Sequence, residues 1–307
     1  MSPSRRRSRA TGSSKAARWS WCWRRASRRR HAIGIRPGPS AGPCHVGARD
    51  AWVRAVPSSP EPSAMTKPSL TSQRRDLAAA LRLAAKFELN EGICNHFSVA
   101  LPDGPDGRQR YLINPYGVHW SEMRPSDLLL IDERGQVLEG EGEVEATARN
   151  IHIAAHKANP RHVAVLHVHM PYATALTMVE GGRLEMAHQT ACRFHGRTLY
   201  VDHFGGLALD ESEGEAIVAA NKAEAGADIT FLAHHGVTIG GPSVAVAFDD
   251  LYFLERACRQ QVLAMSTGRP LKLIPEAEIE ATAREWRQVL VHQSEKHFEA
   301  LRRIEGL

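Results

Sequence analysis

The 307-residue chain carries 39 Lys and Arg against 34 Asp and Glu, but this balance averages two unlike regions. Residues 1–64 hold 14 basic and 2 acidic residues, whereas the remaining 243 hold 25 basic and 32 acidic residues, so the net charges are +12 and −7. No apolar run reaches the length of about 18 residues that a transmembrane helix needs. Five scattered Cys without a Cys-x-x-Cys pair argue against a disulfide framework, and we expect a cytoplasmic protein without a membrane partner.

The basic segment is rich in Arg, Ser, Pro and Gly and has no amphipathic period, which predicts disorder. Clustered Arg with Trp19, Trp21 and Trp23 would suit a nucleic-acid-binding arm, and the Arg/Ser-rich composition would also suit a transit peptide. A third interpretation is a non-native extension with translation starting at Met65, and we favour it. We therefore divide the chain into an extension at 1–66 and one domain at 67–307, and we expect nucleic-acid contact through the extension alone.

Helical and extended patterns interleave along the acidic region, beginning with a helix from a cap at Thr71 or Ser72 to Phe87. Apolar runs predict strands at 93–100, 110–114, 128–131, 136–138, 163–168, 198–203 and 229–233. Further helices are predicted at 145–157, from Pro171, at 211–224, 243–266 and 276–304. Because tight turns join several strands, the pattern favours a three-layer α/β/α fold with a mixed, mainly antiparallel central sheet.

Two histidines, His167 and His169, stand at the end of the Val-rich run 163–168. Side chains alternate across a strand, so residues two apart project from the same face. Pro171 suits the first turn of a helix, which puts both imidazoles at the carboxyl end of a buried strand, where α/β proteins often keep their chemistry. Imidazole is the commonest protein ligand of zinc and similar ions. The pair predicts part of a metal site. In a chain with 16 His, however, a His-x-His pair is expected by chance on the order of once, so the motif alone is weak.

A second histidine pair, His234 and His235, follows the apolar run 229–233. Adjacent residues on a strand face opposite ways, so only one of the two would enter a shared site. Three imidazoles from these stretches would form a zinc-type site with three histidine ligands. From the residues alone, ordinary hydrogen-bonded histidines beside the core remain the alternative.

Several landmarks in order resemble the class II aldolase/adducin family, which has the fold of L-fuculose-phosphate aldolase, and the resemblance spans about residues 75–270. The landmarks are Asn95-His96-Phe97-Ser98, Leu112-Ile113-Asn114-Pro115-Tyr116-Gly117, Leu166-His167-Val168-His169, Ala233-His234-His235-Gly236-Val237 and the segment 247–257. Each is weak alone, but their order and spacing together are specific. The resemblance implies that His167, His169 and His235 hold Zn²⁺ or another divalent ion, and that His234 lies behind them.

The resemblance also implies that Asn95, Ser98 and Gly117 line the substrate pocket, with turn and strand-end structure as the alternative for all three. The position of the aldolases' catalytic Glu, counted back from His152, is occupied by Ala148, which cannot move a proton.

Glu145 lies one helical turn before Ala148 and is our candidate catalytic carboxylate, unless it serves only as a helix-start carboxylate. Ala146-Thr147 also replaces the tandem Ser of the aldolase phosphate site. In these respects the chain is more like adducin-type and uncharacterised bacterial members.

The expected function is that of a divalent-metal-dependent lyase, which cleaves a carbon–carbon bond of a small hydroxy-carbonyl or sugar-derived substrate through an enediolate. Decarboxylation or dehydration at the same ion, a sugar-phosphate epimerase, and an adducin-like scaffold without catalysis are the alternatives. Ala148 favours the scaffold, whereas three converging imidazoles favour an enzyme. Family members commonly form tetramers, so the resemblance also implies a homotetramer.

Overall fold

The computed structural model describes residues 68–207, 214–216, 219 and 227–307. The basic extension predicted at 1–66 and most of the helix predicted at 211–224 lie outside the described residues. Within the described part of the chain, the helices are all too short or too polar to cross a membrane.

In the described part of the chain, five α-helices have defined bounds and surround the sheet: α1 (Leu70–Lys86), α2 (Ala146–Ala158), α3 (Pro171–Thr177), α4 (Val244–Met265) and α5 (Glu276–Glu305). The helix ends follow the capping signals in the sequence. Ser243, where the predicted helix 243–266 begins, caps α4. Helix α1 begins earlier than predicted because Ser69, rather than Thr71 or Ser72, accepts the hydrogen bond that caps it.

Eight strands form one sheet: β1 (His96–Leu101), β2 (Arg110–Ile113), β3 (Leu129–Asp132), β4 (Val137–Glu139), β5 (Ala164–Val168), β6 (Thr198–Val201), β7 (Ile229–Leu232) and β8 (Gly236–Gly241). Their order is β4-β3-β2-β1-β5-β8-β7-β6. Only the β6–β7 pair among them is parallel, and the other six pairs are antiparallel. The mixed, mainly antiparallel sheet is therefore confirmed.

Strand β8 is absent from the sequence prediction because its three glycines lower its strand propensity. The same glycines allow close packing. A Cβ on Gly240 would lie 2.1 Å from the His162 ring, and one on Gly236 would lie 2.5 Å from the Val168 carbonyl oxygen. The strand is thus specified by its neighbours rather than by its own side chains.

The helices lie on the two faces of the sheet and produce three layers. On one face, a large core cluster joins residues of α1, α3 and α4 to strand residues such as Phe97 and Leu166. On the other face, α2 packs Ile151 and Ala155 against Val165. Because alternate residues of a strand face opposite layers, His167 lies on the α2 side, next to Val165 and opposite Leu166. The three-layer fold is confirmed.

The long helix α5 is attached through a buried ion network. The guanidinium of Arg193 donates to Asp249 at 2.5 Å and to Asp250 at 2.8 Å, and all three side chains are fully buried. Asp249 also accepts hydrogen bonds from Ser294 and His297 on α5. Burial raises the pKa of Asp249, but hydrogen bonds from His297 and Arg193 outweigh it and hold this pKa below its ordinary value.

Candidate metal centre

The structure brings together the three histidines predicted as metal ligands. His167 is the fourth residue of β5 and is buried, His169 follows the end of that strand, and His235 lies in the turn between β7 and β8. Since β8 pairs with β5, this turn lies beside the end of β5. One candidate donor atom from each ring lies within 4.8 Å of the others.

The hydrogen bonds of two of these rings orient their Nε2 atoms towards each other. Nδ1 of His167 lies 3.1 Å from the Val237 carbonyl oxygen, and Nδ1 of His169 lies 2.5 Å from a Glu91 carboxylate oxygen. Both acceptors require a proton on Nδ1, and in the neutral form of each ring, which is the form that a metal binds, this leaves a lone pair on Nε2. The two Nε2 atoms are 3.3 Å apart.

Two facing lone pairs at this distance repel each other unless a cation lies between them. Two zinc–nitrogen bonds of about 2.0–2.1 Å at a tetrahedral angle would hold the nitrogen atoms about 3.4 Å apart. Burial, followed by the neighbouring histidines, holds the pKa of His167 well below its ordinary value, so its ring is the neutral form that a metal requires. The donor set therefore fits a divalent cation.

The turn that carries His235 also separates it from His234. His234 adopts a left-handed backbone conformation with a φ of 56°, and its N–H donates to the Thr177 carbonyl oxygen at 3.3 Å. The ring of His235 lies 4.8 Å, between centroids, from those of both His167 and His169. The exposed ring of His234 instead lies 6.1 Å from Phe204 and lines the same cavity, so the prediction that it lies behind the other histidines is wrong. As predicted, only one of the two histidines joins the cluster.

A row of three further buried histidines, His96, His152 and His156, extends behind His167. His96 stacks on His167 with ring centroids 4.9 Å apart, and its Nδ1 lies 2.9 Å from Nε2 of His152. The Ser98 hydroxyl joins His152 and His156, at 2.5 and 2.8 Å. Burial is the main cause that lowers the pKa of His96 to about 3, that of His156 to about 4, and that of His152 well below 6.5. The histidine row is thus a neutral hydrogen-bonded support for the ring of His167.

The three residues predicted to line the substrate pocket occupy different environments. The Asn95 side-chain oxygen accepts from the N–H groups of Glu91 at 2.7 Å and His169 at 3.4 Å. Its buried Nδ2 has no hydrogen-bond partner among the described residues. Ser98 is buried within the histidine row, and Gly117 is an exposed turn residue with a φ of 84°. Asn95 thus contacts the backbone of His169, but none of the three lines the cavity that the histidines share with Glu145, contrary to the prediction.

Glu145 has two roles in the structure, because it caps α2 and also lines a cavity with the three histidines. Its carboxylate accepts the N–H of Ala148 at 3.0 Å and the hydroxyl of Thr147. The same oxygen lies 3.7 Å from Nε2 of His96. Ala148 is buried in a core cluster with Tyr111 and Ile113. On α2, the side chain that faces the histidines is thus Glu145 at the helix start rather than the residue at position 148.

The cavity in front of the histidine cluster has a volume of about 570 Å³, and we refer to it as the site cavity. Its lining includes the carboxylates of Glu91 and Glu145 and an apolar part, Met178, Phe204 and Leu207, which we refer to as the apolar wall. The sequence did not predict roles for Glu91 or for this apolar wall. Both come from loops whose positions depend on tertiary contacts, and nothing in the local pattern indicates them.

Comparison with known proteins agrees with this geometry. The family model for the class II aldolase and adducin N-terminal domain matches residues 75–262. An adducin-related protein of Schizosaccharomyces pombe is 35% identical over 189 residues, which cover 58% of this chain and 55% of that protein. The decarboxylase NovR of Streptomyces niveus is 30% identical over 201 residues, 65% of this chain and 72% of that protein. The crystal structure of an aldolase II superfamily protein from Pseudomonas syringae matches with a TM-score of 0.70 and 33% sequence identity. The match covers 78% of this chain and 94% of the Pseudomonas chain.

The chain belongs to the class II aldolase and adducin family, since the family model matches more than half of it. It spans about half the length of the adducin-related relative. The predicted family, with its adducin-type and bacterial relatives, is confirmed.

Proposed function

We propose that this protein is a divalent-metal-dependent lyase of the aldolase type, acting on a small hydroxy-carbonyl substrate. The observation that carries the proposal is the 3.3 Å separation of the His167 and His169 Nε2 atoms, with both Nδ1 atoms held by acceptors. His235 completes the ligand set, and three imidazoles leave a coordination position for substrate. We propose Zn²⁺ as the ion because it prefers nitrogen donors in this number. When bound, the ion would supply Lewis-acid stabilisation of negative charge on the substrate oxygens.

The chain's own residues would orient the substrate and move the proton. The Glu145 carboxylate is on the cavity wall, where it could accept a hydroxyl proton as the carbon–carbon bond breaks and return it to the product. Thr147 and the Ala148 N–H fix the position of this carboxylate. Asn95 does not line the cavity, and it would act by holding the N–H groups of Glu91 and His169. Ser98 and Gly117 would act indirectly, by orienting His152 and by setting the turn that carries Tyr116.

The test measures metal and reaction separately. Elemental analysis of the purified protein is expected to find one divalent ion per chain, and replacement of His235 by Ala is expected to abolish it. NMR of reaction mixtures with hydroxy-carbonyl compounds would distinguish fragmentation to two carbonyl products from loss of CO₂ or from stereoinversion. Replacement of Glu145 by Asn keeps a good helix cap and removes the proton carrier. Full activity in Glu145→Asn would exclude this carboxylate, and a metal-free wild-type protein would exclude the proposed function.

A second candidate is an adducin-like binding role without catalysis. It is supported by the adducin-related relative and by Ala148, which is buried where the aldolases carry a catalytic Glu. The facing imidazoles of the metal centre weigh against it, because a scaffold has no use for them. Metal binding without turnover of any hydroxy-carbonyl compound would favour this candidate.

We further propose a cytoplasmic homotetramer, by family resemblance. The proposal is supported by three exposed apolar side chains on α5, Val289, Val291 and Ile304, which suit contact with another subunit. Light scattering coupled to gel filtration would test it, and a monomeric mass at micromolar concentration would contradict it.

A further inference from the structure

The amino terminus of α2 faces the site cavity, and it is already occupied by an anion. The first N–H groups of a helix attract negative charge, which makes a helix start beside an active site a common phosphate-binding position. Here the Glu145 carboxylate accepts the Ala148 N–H at 3.0 Å and the Thr147 hydroxyl. A substrate phosphate at this position would have to displace Glu145 or approach its negative charge.

The described residues in the rest of the cavity wall include no positive side chain to compensate. Among the described residues that line it, none is Lys or Arg, and both charged side chains other than histidine are carboxylates, Glu91 and Glu145. Phosphate groups are held in proteins by Arg, by Lys or by clusters of backbone N–H groups. The wall therefore disfavours a second anion away from the histidine cluster.

The lining of the cavity also includes large apolar side chains that are exposed. Met178, Phe204 and Leu207 are 64%, 46% and 76% exposed, and the aromatic side chain of Tyr116 is 42% exposed. Large apolar side chains grouped at a cavity are a common sign of a ligand-binding surface. A polar sugar chain would gain little binding free energy from contact with these side chains. An aryl or branched alkyl group would bury their apolar surface and bind more tightly.

We propose that the site selects an unphosphorylated hydroxy-carbonyl substrate with an apolar substituent, aryl or branched alkyl, that packs against Phe204, Leu207 and Met178. The inference rests on the proposed function, because the carbonyl and hydroxyl oxygens are taken to bind at His167, His169 and His235. It adds the chemical class of the remainder of the substrate.

The experiment compares three hydroxamates that share one metal-chelating group. Acetohydroxamate carries a methyl group, phenylacetohydroxamate adds a phenyl ring, and phosphoglycolohydroxamate adds a phosphate. Their affinities for the zinc-loaded full-length protein are measured by isothermal titration calorimetry. The phenyl compound is expected to bind at least about tenfold more tightly than acetohydroxamate, because a few apolar carbons in a matching pocket give that much discrimination. The phosphate compound is expected to bind no more tightly than acetohydroxamate.

Variants test whether the apolar wall is responsible. Phe204→Ala and Leu207→Ala are expected to remove most of the phenyl advantage while leaving acetohydroxamate affinity and zinc content unchanged. Leu138→Ala is the matched control, because Leu138 on β4 is also an exposed Leu but does not line the cavity. It should keep the full advantage.

The failure of this inference can be distinguished from the failure of the proposed function. Tighter binding of the phosphate compound, or equal binding of the phenyl and methyl compounds, by a protein with stoichiometric zinc would overturn the substrate class and leave the lyase intact. A phenyl advantage that persists in both wall variants would likewise overturn it. A protein that holds no zinc would overturn both.

Discussion

Replacement of Glu91 by Ala removes the carboxylate that holds the Nδ1 proton of His169. Without this acceptor, the ring can rotate, and its proton can move to Nε2, the atom directed towards His167. Both changes reduce the population of rings that present a lone pair to a metal. We therefore expect weaker metal binding although all three ligands remain.

The size of this loss follows from the exposure of Glu91. Removal of a carboxylate behind a ligating histidine typically costs about 10–100-fold in metal affinity. The Glu91 side chain is 68% exposed, so water replaces part of the lost hydrogen bond, and we expect about tenfold, or about 1.4 kcal/mol. Glu91→Gln keeps a neutral acceptor and should lose roughly half of this free energy, since a charged acceptor makes a bond about twice as strong.

The assay is competition for Zn²⁺ against a chromophoric chelator at neutral pH and fixed ionic strength. The control is Glu88→Gln, which neutralises another exposed carboxylate of the same segment three residues earlier. It should bind zinc like the wild type, which would exclude a general effect of net charge. An affinity within twofold of wild type in Glu91→Ala would refute the reasoning, because the Nδ1 contact would then have no part in orienting His169.

Three further predictions concern stability and catalysis. Glu145→Asn and Glu145→Ala should both lower the turnover number by about 10²–10⁴-fold. Only the Ala variant should also lose about 1 kcal/mol of unfolding free energy, measured in urea, because Asn still caps α2. Equal stabilities of the two variants would contradict the capping role of Glu145. The pKa of His156, about 4 in the folded chain and near 6.5 when unfolded, means that the unfolded chain takes up the proton first as the pH falls. His156 alone should therefore lower the unfolding free energy by roughly 3 kcal/mol between about pH 6.5 and 4, in addition to the contributions of the other buried histidines. His156→Gln should show a shallower decrease in urea titrations across this range, and an unchanged slope would argue against a neutral buried His156. Arg193→Met leaves buried Asp249 without its guanidinium and Asp250 with Arg197 as its remaining guanidinium partner. It should cost about 3 kcal/mol in the same measurement, whereas a loss below about 1 kcal/mol would mean that the network contributes little.

Local patterns predicted the parts of the metal centre that depend on strand geometry. The two-residue spacing of His167 and His169 was sufficient to predict that they project from the same side. Pro171 was sufficient to predict the residue at which the following helix begins. The family resemblance then supplied the third ligand, His235. The spatial grouping of these three residues is as predicted, and their role as ligands stays a prediction.

The remaining features of the site depend on contacts between distant segments. Glu91 reaches His169 across 78 positions of the chain, and no periodicity indicates that contact. Ser98 was predicted to face the substrate, but the side chain lies among the histidine row because β1 pairs with β5 in a register that puts it opposite Val165. Strand alternation predicts which residues share one face of the sheet. It does not predict which helix covers that face, because this depends on the order and register of all the strands.

The position of His235 in the β7–β8 turn determines when the metal centre can form. His235 reaches the end of β5 only after β8 has paired with β5, since 66 residues separate it from His169. In an unfolded chain, an ion that bound all three rings would have to close this long loop, which costs conformational entropy. We therefore expect metal binding to follow sheet assembly. Refolding rates should then be the same with zinc or with a chelator, and zinc should act by slowing unfolding.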